Sequence, residues 1–145
     1  MKPSELHSVW SAPDNTRLTS KQYSFRLPVH VAAKLSALGD IYPNKNRTQI
    51  VGDLLSTAIE EVIGQLPSQK GTFVGRYDPP GETPFLAYED VGLNGRFTHR
   101  ANQYFKELEI ELGNEAPTPL YPEGLVTEEM TREELDREEE ERRER

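Results

Sequence analysis

The chain has 145 residues, a formal net charge of −8 at pH 7 and a hydrophobic content of 34%. This length suits one domain with appendages, and the absence of cysteine excludes a disulfide framework and a thiolate-bound zinc ion. No stretch approaches the roughly 20 apolar residues of a membrane span, and the N-terminus lacks the apolar run of a signal peptide. We therefore expect a cytoplasmic protein that does not contact a membrane.

The net negative charge lies in the second part of the chain. Residues 1–64 hold seven lysines and arginines and six acidic residues, a net charge of +1, so residues 65–145 carry the remaining −9. The first part is therefore free to meet a polyanion, although the chain as a whole is acidic.

The N-terminal segment is predicted to contain an arm and one strand. Residues 1–19 mix Pro, Ser, Asn and Asp without a period, which is typical of a flexible arm, and Trp10 is the residue there that we expect to be anchored. Next comes KQYSFRLP, whose alternation of polar and apolar residues predicts a strand over residues 20–27. The polar positions are Gln22, Ser24 and Arg26, and the apolar positions are Tyr23, Phe25 and Leu27.

Two amphipathic helices are predicted after this strand. The first starts at Pro28, which suits a first helical turn, and ends before Pro43. Its apolar positions are Val31, Leu35 and Leu38. The second follows Asn46, a good N-cap residue that forms a capping box with Gln49, and it ends at Gly64. Its apolar positions are Ile50, Leu54, Ala58 and Val62 in one row and Val51, Leu55 and Ile59 in the next. A stripe this wide predicts a helix that is buried on more than one side.

The remaining chain shows weaker patterns. Residues 65–96 are rich in glycine and proline, and a weak hairpin pattern places Phe73–Tyr77 and Phe85–Tyr88 on either side of the turn residues DPPG. A third helix is predicted at THRANQYFKELEIEL. Its apolar positions are Phe97, Ala101, Tyr104, Phe105, Leu108 and Leu112. The last stretch, TEEMTREELDREEEERRER, is a charge run that predicts an exposed helix or a disordered tail.

A single strand in such a chain predicts a dimer. Its backbone groups lack a partner, and a two-stranded ribbon is marginal unless something packs beneath it. We therefore expect two copies to pair their strands antiparallel, with the four helices as the floor. The predicted dimer core comprises Tyr23, Phe25, Leu27, Val31, Leu35, Leu38, Ile50, Val51, Leu54, Leu55, Ala58, Ile59 and Val62. The polar strand residues then point outwards on a ribbon that fits the major groove of B-DNA.

The stretches KQYSFRLPVHVAAKLSAL and NKNRTQIVGDLLSTAI form one pattern: an alternating strand that ends at a proline, a short helix, and a polar cap that opens a longer helix. Between Thr19 and Ile63, this pattern resembles the ribbon-helix-helix repressors, the class of the methionine and Arc repressors. The resemblance implies that the polar strand residues read base edges. These are Gln22, Ser24 and Arg26. It also implies that the second helix begins at a phosphate clamp. The clamp residues are Asn46, Arg47 and Thr48.

The chemistry of these residues agrees with the implied roles. Arg26 can bond guanine and Gln22 can bond adenine, in each case through two hydrogen bonds. The first amides of the second helix lie at its positive dipole end and suit a phosphate oxygen. Lys45 adds charge near that helix end, and Lys21 adds charge beside the ribbon, so both are predicted phosphate contacts.

Catalysis is not expected. No nucleophile, phosphate-binding loop or metal motif organises the many carboxylates, and His7, His30 and His99 lack neighbouring ligands at metal spacing. We therefore expect no catalytic residue, no bound metal and no cofactor.

The predicted fold class is mostly α with one N-terminal strand. It is a ribbon-helix-helix dimer with a C-terminal extension that contains one helix, a weak hairpin and an acidic tail. The predicted parts are a flexible arm at 1–19, a DNA-binding and dimerisation domain at 20–64, a Gly/Pro-rich segment with the third helix at 65–112, and a linker with the acidic tail at 113–145.

The predicted function is a homodimeric, sequence-specific regulator of transcription, acting as a repressor in a bacterial, phage or plasmid context. Its predicted partners are double-stranded DNA, a second copy of the chain, and a protein that binds residues 65–145. Two alternatives remain open. One is an antitoxin, in which the C-terminal region binds a toxin and the N-terminal domain autoregulates. The other is a dimeric structural or adaptor protein without DNA binding, which the low isoelectric point favours.

Overall fold

A computed structural model describes residues 2–10 and 17–145, so residues 11–16 of the predicted arm lie outside the described residues. The chain divides into two compact units. One is Met1–Gln65 with Glu111–Gly113, and the other is Leu66–Ile110 with Asn114–Arg145. In the described part of the chain, no helix combines the length and the apolar character needed to cross a membrane.

The first unit is helical. A 3-10 turn at Pro3–Glu5 leads into the short helix α1 (Leu6–Trp10), and two longer helices follow, α2 (Val29–Ile41) and α3 (Arg47–Ile63). Its buried core consists of Leu6, Trp10 and Ile50, with Leu35, Leu38, Tyr42 and Leu54 packed against it. The tryptophan that the sequence marked as an anchor is therefore part of this core, at 6% exposure.

The capping box predicted at the start of α3 is confirmed. The backbone N–H of Gln49 donates to Oδ1 of Asn46 at 2.8 Å, and the backbone N–H of Asn46 donates to Oε1 of Gln49 at 3.0 Å. These bonds satisfy amides that an α-helix otherwise leaves without a partner. The helix start is thus fixed by local sequence.

The predicted N-terminal strand is absent from the single chain. Residues 22–28 adopt no regular secondary structure, and the one sheet within the described residues does not include them. A strand is defined by hydrogen bonds to a neighbouring strand, and none lies beside this segment.

The second unit contains a sheet and two helices. Its elements are β1 (Lys70–Tyr77), β2 (Phe85–Asp90), α4 (Leu93–Glu111), β3 (Leu125–Glu129) and α5 (Arg132–Glu144). The strand order is β1-β2-β3, and both pairs are antiparallel. Ala87 in the central strand lies opposite Gly75 and Thr127 and is fully buried, so the sheet is closely packed at its middle.

The seven-residue loop between β1 and β2 contains a tight turn. The N–H of Glu82 donates to the carbonyl of Pro79 at 3.2 Å, and Gly81 has a φ of +76°. Proline followed by a residue of positive φ is the arrangement of a type II turn, in which glycine is strongly preferred at the third position. Next to this loop, Tyr77 at the end of β1 stacks on Phe85 at the start of β2, with ring centroids 5.2 Å apart.

The predicted fold class is wrong. The described residues combine helices with a three-stranded antiparallel sheet that follows α2 and α3, and this is not a mostly α fold with one N-terminal strand. The predicted hairpin strands correspond to β1 and β2, but β3 joins them. This third strand lies at LVTEE. The sequence predicted its first two residues as the end of a proline-rich linker and its last three as the start of the charged tail. Pairing with β2 overrides that composition.

Asp90 organises the junction between β2 and α4. Its Oδ1 accepts hydrogen bonds from the backbone N–H groups of Gln69 at 3.0 Å and Gly92 at 2.9 Å, and its Oδ2 accepts one from Asn94. Burial by itself would raise the pKa of Asp90, but these donors outweigh burial and lower the pKa to about 2. A Cβ at Gly95 would lie 1.9 Å from the carbonyl oxygen of Asp90, so α4 can start here only with glycine at that position.

The C-terminal charge run forms the exposed helix α5 from Arg132 onwards, while its first three residues belong to β3. A capping box between Thr131 and Glu134 begins it, and Arg142 and Arg143 lie in its last turn, where cations complement the helix dipole. The Arg76 guanidinium bonds both Asp78, at 3.1 Å, and Glu138. One residue of β1 thereby attaches the helix to the sheet.

Candidate nucleic-acid interface

The segment that precedes α2 is exposed on both of its faces. The predicted base-reading residues Gln22, Ser24 and Arg26 are all exposed. Of the apolar residues between them, Phe25 is 73% exposed and Tyr23 is 61% exposed. Within one copy, therefore, the polar and the apolar residues of the predicted strand are equally exposed, and nothing covers the apolar ones.

The predicted dimer core splits into two groups. Those that the first unit buries or half-buries are Leu35, Leu38, Ile50, Val51 and Leu54. Those that remain exposed are Tyr23, Phe25, Leu27, Val31, Leu55, Ala58, Ile59 and Val62. No residue of α2 is buried. Burying one large apolar side chain contributes about 1.5–3 kcal/mol to stability. The exposed residues of this unit could therefore stabilise it considerably if a partner covered them.

The N-terminus of α3 has the character of an anion site. Asn46 occupies the cap, Arg47 and Thr48 are exposed in the first turn, and that turn contains no acidic residue. The amides of Arg47 and Thr48 have no partner within the helix by virtue of their position, and they lie at its positive dipole end. A phosphate oxygen would complement both the amides and the charge.

The two lysines predicted to contact phosphate differ in their surroundings. Lys21 is exposed. Lys45 is only 9% exposed, and its backbone N–H donates to the carbonyl of Tyr42 at 3.1 Å. Lys45 is thus less accessible to a nucleic acid than its neighbour Arg47, and the roles assigned to both lysines stay predictions.

Trp10 was expected to be anchored, but the sequence did not show which residues hold it against the α2–α3 pair. Trp10 donates from Nε1 to Oδ2 of Asp53 at 2.7 Å, and its ring meets that of Tyr42 edge-on at 5.1 Å. The Tyr42 hydroxyl also lies 2.6 Å from Nδ1 of His7. The spacing of four residues between Leu6 and Trp10 places both on one helix face, and this was the signal that could have found them.

No family model, curated protein or solved structure matches this chain. The resemblance to the ribbon-helix-helix repressors accordingly rests on the quoted residues alone and stays a prediction.

Proposed function

We propose that this chain is a homodimeric, sequence-specific double-stranded DNA-binding regulator of transcription, which acts as a repressor in the cytoplasm of a bacterium or of a phage or plasmid host. The observation that carries the proposal is the alternating, exposed segment of residues 22–28 that leads directly into α2. In this proposal the segment pairs antiparallel with the same segment of a second copy, and the resulting ribbon enters the major groove.

Self-association is supported by where the exposed apolar residues lie. Phe25, Leu27 and Val31 follow the segment into α2, while Ile59 and Val62 lie near the end of α3, and all five are at least 36% exposed. A second copy offers the same apolar surface and the same unpaired segment, so one twofold contact can cover both. The strands gain their hydrogen bonds in the same step that buries the side chains.

Two features favour DNA as the ligand: the polar residues of the segment and the N-terminus of α3. When Tyr23 and Phe25 face the dimer interior, Gln22 and Arg26 face outwards, because side chains alternate along a strand. Arg26 suits guanine and Gln22 suits adenine. The capped N-terminus of α3, with Arg47 beside it, supplies the sequence-independent contact to phosphate that fixes the ribbon in its groove.

The charge distribution favours binding to particular DNA sequences over binding to DNA of any sequence. The first 64 residues carry only +1, and the rest of the chain carries −9. A weakly charged binding region gains little from phosphates alone, and the acidic part repels DNA at large. Occupancy then depends on base contacts more than on charge.

The proposal is tested by measuring the fluorescence anisotropy of labelled genomic DNA fragments, including the gene's own promoter, at low and moderate salt. We expect binding to selected fragments that weakens as salt rises. Arg26→Ala should remove selectivity and leave the dimer intact, whereas Arg142→Ala, an exposed arginine of α5, should change neither. Equal affinity for all fragments, or no binding at low salt, would exclude the regulator. An intact dimer that binds no DNA would instead favour the adaptor alternative.

An antitoxin is the second candidate, and the surface of the second unit favours it. Phe73 and Val74 on β1 are 55% and 50% exposed, and exposed apolar residues on an edge strand suit a protein partner. Co-expression of the full chain with any toxic product of an adjacent gene tests this candidate. Relief of toxicity that is lost in Phe73→Asp but retained in Leu18→Asp would support it, and growth that stays inhibited with the wild-type chain would exclude it.

A further inference from the structure

An open cavity of about 530 Å³ lies beside the first two turns of α4, within the second unit. The lining residues are Leu66, Leu93, Arg96, Phe97, His99 and Arg100. Half of them are apolar, two are permanently cationic, and none is a carboxylate. The volume lies within the range of about 300–1,000 Å³ that is typical of small-molecule sites.

The two arginines form a pair of like charges. Arg96 and Arg100 are four residues apart on one helix, where like charges repel each other. The first turn of α4 contains no acidic residue, although the Asp90 carboxylate lies at the start of the helix, where it accepts a hydrogen bond from the backbone N–H of Gly92. Within residues 2–10 and 17–145, neither guanidinium forms an ion pair, and both side chains are exposed. A bound anion would remove this repulsion.

An adjoining cavity differs from the first one in the charge of its walls. It measures about 640 Å³ and shares Arg96 and His99, but its walls also carry Glu89, Asp90 and Glu123. These carboxylates disfavour an anion there. The cavity that Arg100 lines has no carboxylate in its wall, although residues 65–145 as a whole carry a net charge of −9.

The apolar residues of the cavity define the rest of the ligand. Phe97 and Leu66 are half-buried, and Leu93 is 50% exposed. They lie in the same cavity lining as the arginines, so one molecule can contact both kinds of surface. Inorganic phosphate alone would leave this apolar surface in contact with water.

We propose that this cavity binds a small amphiphilic anion, a molecule with a phosphate or carboxylate group on an aromatic or aliphatic body. Arg96 and Arg100 pair with the anionic group, because planar guanidinium groups bond such oxygens through two parallel hydrogen bonds. Leu66, Leu93 and Phe97 cover the body. This binding site goes beyond the proposed DNA-binding function and does not depend on it.

Isothermal titration calorimetry of the full-length chain tests the proposal with a matched set of probes: naphthyl phosphate, naphthoate, uncharged naphthol and inorganic phosphate. We expect one of the two amphiphilic anions to bind at least about tenfold more tightly than naphthol and inorganic phosphate, and to weaken as salt rises. The ranking of naphthyl phosphate against naphthoate identifies the anionic group. Naphthol binding as tightly as both anions, or no anion binding at millimolar concentration, would overturn the proposal.

Variants locate the binding on the helix. Arg96→Gln and Arg100→Gln should each weaken the better anion about tenfold, while Lys106→Gln removes the same charge from α4 outside this cavity and should have little effect. Leu93→Asn should weaken the naphthyl probes and leave inorganic phosphate unchanged. Circular dichroism confirms that each variant is folded. An equal loss in Lys106→Gln and Arg100→Gln would show that only the general charge of the helix matters, and would overturn the assigned site.

Discussion

Trp10 donates a hydrogen bond from Nε1 to Oδ2 of Asp53 over 2.7 Å, and this bond joins α1 to α3. The donor belongs to a side chain that is 6% exposed, in a core that otherwise consists of Leu6 and Ile50. A buried indole N–H that loses its acceptor retains the full cost of its desolvation. The N-terminal residues therefore contribute to the fold of the first unit.

Removing the acceptor should destabilise the first unit. Asp53→Ala should lower the free energy of unfolding by about 1–3 kcal/mol, because it leaves the Trp10 N–H without its partner. Urea unfolding followed by circular dichroism measures the change. Asp40→Ala, at an exposed position in the last turn of α2, is the control and should change stability by less than about 0.5 kcal/mol. Similar losses in the two variants would show that the Trp10–Asp53 bond is energetically unimportant.

A charge on the apolar side of residues 22–28 should prevent self-association. Phe25→Asp should shift the chain from dimer to monomer in sedimentation equilibrium, because the carboxylate would be buried without a partner in the interface. Leu18→Asp introduces the same charge at a residue of similar exposure outside the alternating segment, and should remain dimeric. A folded Phe25→Asp dimer would exclude this segment from the interface.

Changing the cap of α3 should separate DNA binding from stability. Asn46→Asp keeps a good N-cap acceptor, so the free energy of unfolding should stay within about 0.5 kcal/mol of the original. The added negative charge should nevertheless weaken DNA binding about tenfold, because it lies where a phosphate would bind. Anisotropy titrations against salt measure the effect. Thr131→Asp places the same charge at the cap of α5 and should leave DNA affinity unchanged; a loss there as large as in Asn46→Asp would contradict the phosphate clamp.

The ionised carboxyl of Asp90 should stabilise the second unit in a pH-dependent way. Its pKa is lowered from 3.8 to about 2 in the folded chain, so its contribution is fully present above about pH 4. That contribution, on the order of 2 kcal/mol, should be lost as the pH falls from about 4 to about 2, because the unfolded chain then binds the proton more readily. Chemical unfolding at a series of pH values measures it.

The control for this pH dependence is Asp136→Asn, at an exposed position of α5. Asp90→Asn should be less stable than the original chain at neutral pH, and the difference should shrink in acid. The Asp136→Asn variant should follow the original chain at every pH. If Asp90→Asn lowered the free energy of unfolding as much at pH 2 as at neutral pH, the packing of the Asp90 side chain, and not its charge, would account for its role.

The helices of the first unit were predictable because their signals are local. Pro28 precedes α2, and Asn46 with Gln49 opens α3 through contacts between residues only three apart. β3 was not predictable in the same way. Its existence depends on pairing with β2, as in Thr127 opposite Ala87, and no local property of LVTEE outweighs the prolines before it.

The candidate site could be predicted only in part from the sequence. The alternation of residues 20–27 identified a segment that is exposed along both faces, but sequence could not show that Lys45 is nearly buried. The pair Arg96 and Arg100 was missed because the third helix was predicted to begin near Thr98. Its actual start at Leu93 depends on the fit between Gly95 and the backbone of Asp90, which is a contact made only in the folded chain.

In the proposed dimer, residues 22–28 pair only between two copies, and this would change how the protein responds to its own abundance. A ribbon assembled from two chains forms at a rate that rises with the square of the protein concentration, and its stability cannot be separated from that concentration. Halving the number of chains in a cell would then lower the amount of the active form by more than half. A regulator built in this way would release its promoter abruptly when synthesis stops or when the cell divides, without any ligand having to dissociate.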